Sequence, residues 1–218
     1  MKFLRNLADS SRNNSAANKF RRKRFEIFRK MLFEISKPKI SILDVGGTEL
    51  YWKQMNPPEL NKLDITILNI HDKQTDSGDY KYVKGNASDL KMFGNKQFDI
   101  VFSNSVIEHL APDEQQKMAE EIMRVGKRFY LQTPSYYFPL EPHFLFPFFQ
   151  FFPKFIKIWL IRNFNLGWYE KYKNHDEAVN LIESVNLLKL KQLKKLFPSA
   201  IILKEKVIFF TKSYLVIF

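Results

Sequence analysis

The chain has no cysteine, only seven glycines and only four histidines among 218 residues. Without cysteine it has no disulfide framework, no Cys-ligated zinc, no iron–sulfur cluster and no thiol nucleophile. With so few glycines, each one marks a place of special backbone geometry. A long apolar run is also missing. The most apolar window, Phe144 to Ile161, is interrupted by Pro147, Gln150, Pro153, Lys154 and Lys157, whereas a spanning helix needs about 20 largely apolar residues. Met1-Lys2-Phe3-Leu4-Arg5 is not followed by the apolar stretch of a secretory signal. A cytoplasmic chain is expected, with peripheral contact at the membrane inner face left open.

Basic charge and phenylalanine are in excess. Thirty-five Lys and Arg stand against 23 Asp and Glu, a net +12, and there are 22 Phe. Hydrophobic residues at 45% and charged residues at 27% are otherwise ordinary for a globular chain with material for a large core. Both excesses have an address. Ten basic residues against three acidic ones lie within residues 1–36. Seven of the twelve residues from Phe144 to Phe155 are Phe.

Residues 6–18 read as polar loop with helix-capping Asp, Asn and Ser, and Phe20 to Ile35 as a helix. Phe25, Phe28, Leu32 and Ile35 keep the helical period on one face, while Arg21, Arg22, Lys23, Arg24, Arg29 and Lys30 occupy the others. Strand-like runs then alternate with helix-length segments: 40–45, 65–70, 80–83, 98–102 and 128–132, with a helix over 113–125. That alternation is the mark of a parallel sheet covered on both faces. A helix over 187–197 is followed by extended runs at 201–203, 207–210 and 214–218, too close together for crossover helices, so the final pairing is expected to be antiparallel. The division is a basic N-terminal helical extension (1–36) and an α/β domain (37–218). Within the latter, a Phe-rich segment at about 135–186 reads as an ordered cap or substrate-binding insertion.

Ligands of open α/β sheets bind at the carboxyl ends of the strands. The first such end, Ile42-Leu43-Asp44-Val45-Gly46-Gly47-Thr48, spends two glycines on one strand-to-helix turn, which lets backbone approach a ligand closely. It is neither a P-loop nor a GxGxxG turn. With Gly85-Asn86-Ala87-Ser88-Asp89-Leu90, then Phe98-Asp99-Ile100-Val101-Phe102-Ser103-Asn104-Ser105-Val106-Ile107-Glu108-His109, the ordered set resembles the class I S-adenosylmethionine-dependent methyltransferases. The resemblance covers about residues 38–134 and 187–218. It implies a Rossmann-like, mostly parallel seven-stranded sheet with a C-terminal antiparallel hairpin and helices on both faces. It also implies S-adenosylmethionine as cofactor, no required metal, and cofactor contacts from Asp44, Gly46, Gly47, Thr48, Asn69, Asp89, Ser103 and Asn104. Asp44 would face the methionine ammonium, Asn69 the ribose hydroxyls and Asp89 the adenine amino group. Asn69 stands where the family usually carries an acid, and Glu49 and Leu50 where a further glycine is common. Ser-Val-Ile replaces the Pro-Pro-aromatic run of amino-base methyltransferases, which disfavours a nucleobase amino acceptor.

Methyl transfer from a sulfonium is an in-line displacement, and an alcohol acceptor calls for a general base. His143 with Glu141 nearby, in Pro139-Leu140-Glu141-Pro142-His143, and His109 are the candidates. The expected reaction is O-methylation of a small-molecule, sugar or lipid-linked acceptor. Basic residues beside aromatic ones also suit an anionic membrane surface. A non-catalytic binding protein of the same fold, and an RNA methyltransferase using the basic helix, are the alternatives.

Overall fold

The computed structural model describes residues 5, 6, 9, 15–71 and 80–218. Most of the expected N-terminal loop and the start of the chain lie outside these. Five parallel strands, β1 (Ile40–Val45), β2 (Leu63–Asn69), β3 (Lys81–Lys84), β4 (Phe98–Asn104) and β5 (Gly126–Pro134), join β8 (Ile201–Val207) and β9 (Phe210–Ile217). The order is β3-β2-β1-β4-β5-β9-β8, with β9 antiparallel to both β5 and β8. The expected parallel sheet closed by an antiparallel hairpin is thus borne out. One expectation is corrected: the run Val207–Phe210 is not a strand of its own. The chain reverses at Ile208 and Phe209, with Ile208 at φ +54°. Neither residue is a usual turn former, so the sequence hides the turn.

Side-chain alternation along the strands splits the core in two. Leu43, Val101, Phe129, Leu131 and Val216 face α3 (Pro112–Val125) and α6 (Leu190–Leu196). Ile42, Ile65, Ile100, Phe102, Tyr130 and Leu215 face α1 (Ala16–Phe33) and α2 (Glu49–Met55). Ser15 caps α1, accepting from Asn18 N. Its apolar stripe is fully engaged: Phe28 has no exposed surface, and its ring meets those of Trp52, Phe102 and Tyr130 at 4.9–6.0 Å. The helix expected as an accessory extension therefore packs as a layer of the sheet's own core.

The Phe-rich insertion carries a hairpin of β6 (Leu140–Glu141) and β7 (Phe146–Pro147), then α4 (Lys154–Asn163) and α5 (His175–Glu183). It has a small core of its own, with Phe144, Phe149, Leu160, Ile161, Leu166 and Ala178. This accounts for part of the Phe excess. Phe155 and Trp159, one helical turn apart on α4, remain outside it. Among the described residues, no helix is long and apolar enough to cross a membrane.

Candidate active site

At the end of β1 the chain turns through Gly46 (φ +75°) and Gly47. A Cβ on Gly46 would lie 2.5 Å from Val106, and one on Gly47 1.7 Å from the Asp44 carboxylate. Both positions therefore demand glycine, the first for conformation as well as space. Asp44 is buried. Its Oδ2 accepts from the Trp52 indole N–H at 2.7 Å, and its Oδ1 has no partner within the chain. Burial pushes its pKa up to about 7, against the smaller opposing effect of the Trp52 bond.

A cavity of about 310 Å³ opens over this turn, lined by Asp44, Gly46, Gly47, Thr48, Asn104 and Ser105 from the strand ends. Arg21, Leu50, Tyr51 and Gln54 also line it. Arg21 comes from α1, donates to Gln54 Oε1 at 3.1 Å and lies over the Tyr51 ring at 5.3 Å. The sequence signal for it was the basic helix, but nothing in the charge run singled out this arginine. Ser105 is held at φ +56° at the end of β4, a backbone conformation uncommon for a residue other than glycine.

Three of the expected cofactor contacts do not line this cavity. Asn69 donates to Gly47 O and accepts from His71 N, so its carboxamide buttresses the glycine turn. Asp89 is exposed, accepting from Lys91 N. The Ser103 hydroxyl is buried and donates to Val45 O, tying β4 to β1.

A second cavity, about 340 Å³ and mainly apolar, adjoins through Ser105. Ala17 and Phe20 of α1, Pro134, Phe138, Leu140 and Leu145 form its walls, with Val207 and Lys212 from the terminal hairpin. The Lys212 ammonium sits 3.8 Å from the Phe20 ring centroid and 3.7 Å from Glu205. Burial lowers its pKa to about 8, despite Glu205.

Beside Ser105 lies a cluster that brings together two distant parts of the sequence. Glu108 and His109 follow β4 in a single 3₁₀ turn, while Glu141 and His143 come from the β6–β7 hairpin. The His109 and His143 rings meet edge to face at 4.8 Å. His143 Nδ1 is 2.7 Å from Glu141 Oε1, and Glu141 Oε2 accepts from the backbone N–H of His143 and Phe144. Burial acts to lower the His143 pKa, but the Glu141 bond and charge outweigh it and raise the value. The expected candidates His143, Glu141 and His109 are therefore together. Glu108, which the sequence offers with His109 as the pair closing the β4 motif, joins them; it is fully buried, with its pKa raised to about 7 by burial.

The sheet order, the glycine turn and the cavity over it define a class I methyltransferase fold. Residues 43–128 match the family model described as a methyltransferase domain. An S-adenosylmethionine-dependent methyltransferase of Archaeoglobus fulgidus superposes with a TM-score of 0.53 at 12% identity, covering 90% of this chain and 93% of that one. A Pyrococcus horikoshii protein gives 0.51 at 16% identity over 90% and 89% of the two chains. A 1,6-didemethyltoxoflavin-N1-methyltransferase of Burkholderia thailandensis, with S-adenosylhomocysteine bound, gives 0.50 at 14% identity over 90% and 76%. Two uncharacterized proteins from strains of Mycobacterium tuberculosis are 42% identical over 60 residues, 27% of this chain and 20% of theirs; the match spans about a fifth of those curated relatives. The fold is thus one shared with S-adenosylmethionine-dependent class I methyltransferases, the family match is confined to residues 43–128, and S-adenosylmethionine is the cofactor of that class. The residues present fit it. A buried carboxylate oxygen without a partner suits an ammonium group, Arg21 on the same cavity suits a carboxylate, and the glycine turn leaves room for backbone contact.

Proposed function

We propose that the protein transfers the methyl group of S-adenosylmethionine to an oxygen of an apolar, anion-bearing acceptor such as a lipid-linked small molecule or sugar. The observation that carries this reading is the meeting of two cavities at Ser105, one polar over the glycine turn and one apolar under the insertion. When bound, S-adenosylmethionine supplies an electrophilic methyl on a positively charged sulfur. Asp44 and Arg21 hold the zwitterionic end of the cofactor. The apolar walls position the acceptor and exclude water, and Lys212 pairs with its anionic group. The acceptor hydroxyl loses its proton toward the Glu108, His109 and His143 cluster. Incubating the protein with radiolabelled S-adenosylmethionine and separated lipid and aqueous cell extracts tests this. Label is expected in the lipid fraction at an alkali-stable ether; label in RNA alone would overturn it.

The acceptor pocket faces an apolar rim. Ser213 of β9 pairs with Pro134 at the carboxyl end of β5, so the β8–β9 tip projects at the site end of the sheet. Ile208 and Phe209 on that tip are 80% and 89% exposed, beside Lys206 and Lys212. This supports contact with an anionic membrane surface. Replacing both residues by Ser is expected to reduce co-sedimentation with phosphatidylglycerol vesicles at least tenfold, leaving S-adenosylhomocysteine binding intact.

A further inference from the structure

We propose that Glu108, His109 and His143 form a binding site for a divalent transition-metal ion, whose open positions receive the oxygen of the methyl acceptor. The proposal rests on the methyl-transfer reading for its use, but the site itself stands on geometry. One ligand atom from each of the three side chains lies within 4.8 Å of the others. Ligands about 2.0–2.2 Å from a single ion stand about 3–4.4 Å apart, so a small closing movement of the side chains brings all three onto one ion.

The surroundings are those of a prepared site. His143 Nδ1 is taken by Glu141, which two backbone N–H groups hold in place, so Nε2 is the nitrogen left for an ion. The Ser184 backbone lies near enough to the His109 ring to favour its charged form. An acceptor behind each ligating imidazole is the usual outer shell of a metal site, setting tautomer and ring orientation. Glu108 provides the independent sign of a missing occupant. Its Oε2 accepts from the Thr133 hydroxyl at 2.9 Å, while Oε1, fully buried, receives no hydrogen bond of normal geometry; the nearby Ser105 hydroxyl donates to Gln132 Oε1 at 2.9 Å. A buried carboxylate oxygen in that condition is costly unless a donor or cation faces it. The turn carrying Glu108 is held rigidly: Asn186 N donates to the Glu108 carbonyl at 2.6 Å, and Gln115 Nε2 donates to Ile107 O at 3.1 Å. His109 reaches solvent, giving the ion a way in.

Two imidazoles and one carboxylate suit Zn²⁺, Mn²⁺ or Fe²⁺ and leave positions open for exogenous oxygen. With the three side chains engaged as ligands, the ion rather than the side chains themselves would promote the deprotonation assigned to this cluster, and an acceptor hydroxyl in such a position would release its proton to solvent near neutral pH. Its oxygen then forms the new bond to the methyl carbon as the carbon–sulfur bond breaks and that electron pair stays on sulfur. The products are a methyl ether and S-adenosylhomocysteine.

The test is titration of the chelator-treated full-length protein with Co²⁺, read by visible absorption, and with Zn²⁺ by calorimetry. One equivalent is expected to bind, and Zn²⁺ is expected to raise the melting temperature. His109→Gln, at an exposed position that folding tolerates, and His143→Gln are each expected to weaken binding at least tenfold. Glu141→Gln is expected to do so by about 10- to 100-fold through loss of orientation. All three should bind S-adenosylhomocysteine as the parent does. No saturable ion binding up to millimolar concentration, or equal binding by the parent and both His variants, overturns the site. Methyl transfer that persists undiminished in excess chelator overturns its proposed use. Failure to bind S-adenosylhomocysteine would refute the methyl-transfer reading alone, since ion binding is read without it.

Discussion

Asp44→Asn separates the folding role of the buried acid from its binding role. In the folded chain its pKa is about 7 through burial, against the 3.8 of an ordinary aspartate. Between those values the folded protein holds a proton that the unfolded chain has lost, so stability falls as pH rises across this window. The full difference amounts to roughly 4 kcal/mol, lost by about pH 8. The variant keeps an oxygen for the Trp52 N–H and has no charge to bury, but its amide nitrogen lacks a partner, at a cost of about 1–3 kcal/mol. Two curves should therefore cross. Near pH 4 the acid is neutral in the fold and the variant is less stable by that amide cost. At pH 8 the variant is more stable by about 1–3 kcal/mol, or several degrees in melting temperature for a chain of this size. Urea unfolding at pH 4, 6 and 8 measures this. Over the same series the variant should bind S-adenosylhomocysteine at least thirtyfold more weakly at pH 8, because a buried ammonium loses its counter-charge. The parent's affinity should fall below about pH 7, as binding then has to expel a proton from Asp44. A variant less stable by the same amount at every pH, or one that binds the ligand normally, would refute the reasoning.

Other substitutions follow the same geometry. Gly47→Ala places a methyl 1.7 Å from the Asp44 carboxylate and should abolish S-adenosylhomocysteine binding by calorimetry while the far-ultraviolet circular dichroism is retained. Lys212→Gln should raise KM for an anionic acceptor about tenfold or more, with cofactor affinity unchanged, in steady-state methyl-transfer assays. Phe28→Ala removes a fully buried ring that touches four others; it should cost about 3–5 kcal/mol in chemical unfolding and do so in a single transition shared with the sheet.

What could be read from the chain depended on how local each signal was. Strand ends such as Leu43-Asp44-Val45-Gly46-Gly47 announce themselves because hydrophobic run, acid and glycine are contiguous, and the parallel sheet with its terminal antiparallel pairing followed from the spacing of such runs. The stripe Phe25, Phe28, Leu32 was equally legible as a buried helix face. Its partner was not, because Trp52, Phe102 and Tyr130 belong to three separate elements. The same limit hid Arg21 as a lining residue. It also obscured the turn at Ile208-Phe209, where a β-branched residue occupies left-handed backbone that normally calls for Gly or Asn. Asn69 was legible as a departure from an acidic position, but its bond to Gly47 O emerges only when the turn is seen beside it.

The two accessory features that first stood apart from the sheet, basic charge and Phe, converge on its carboxyl end. α1 sends Arg21 to the first cavity, and Ala17 and Phe20 to the second. The insertion sends Glu141 and His143 to the cluster beyond Ser105. Each supplies what the strand ends lack: Asp44 has no cation across its cavity without α1, and Glu108 and His109 make an incomplete set without the hairpin. In the proposed function, the strand ends hold the cofactor and the additions define what it meets. Acceptor choice should therefore follow α1 and the insertion. Exchanging both of these segments together, and neither alone, is the change expected to transfer acceptor preference to another protein of this fold.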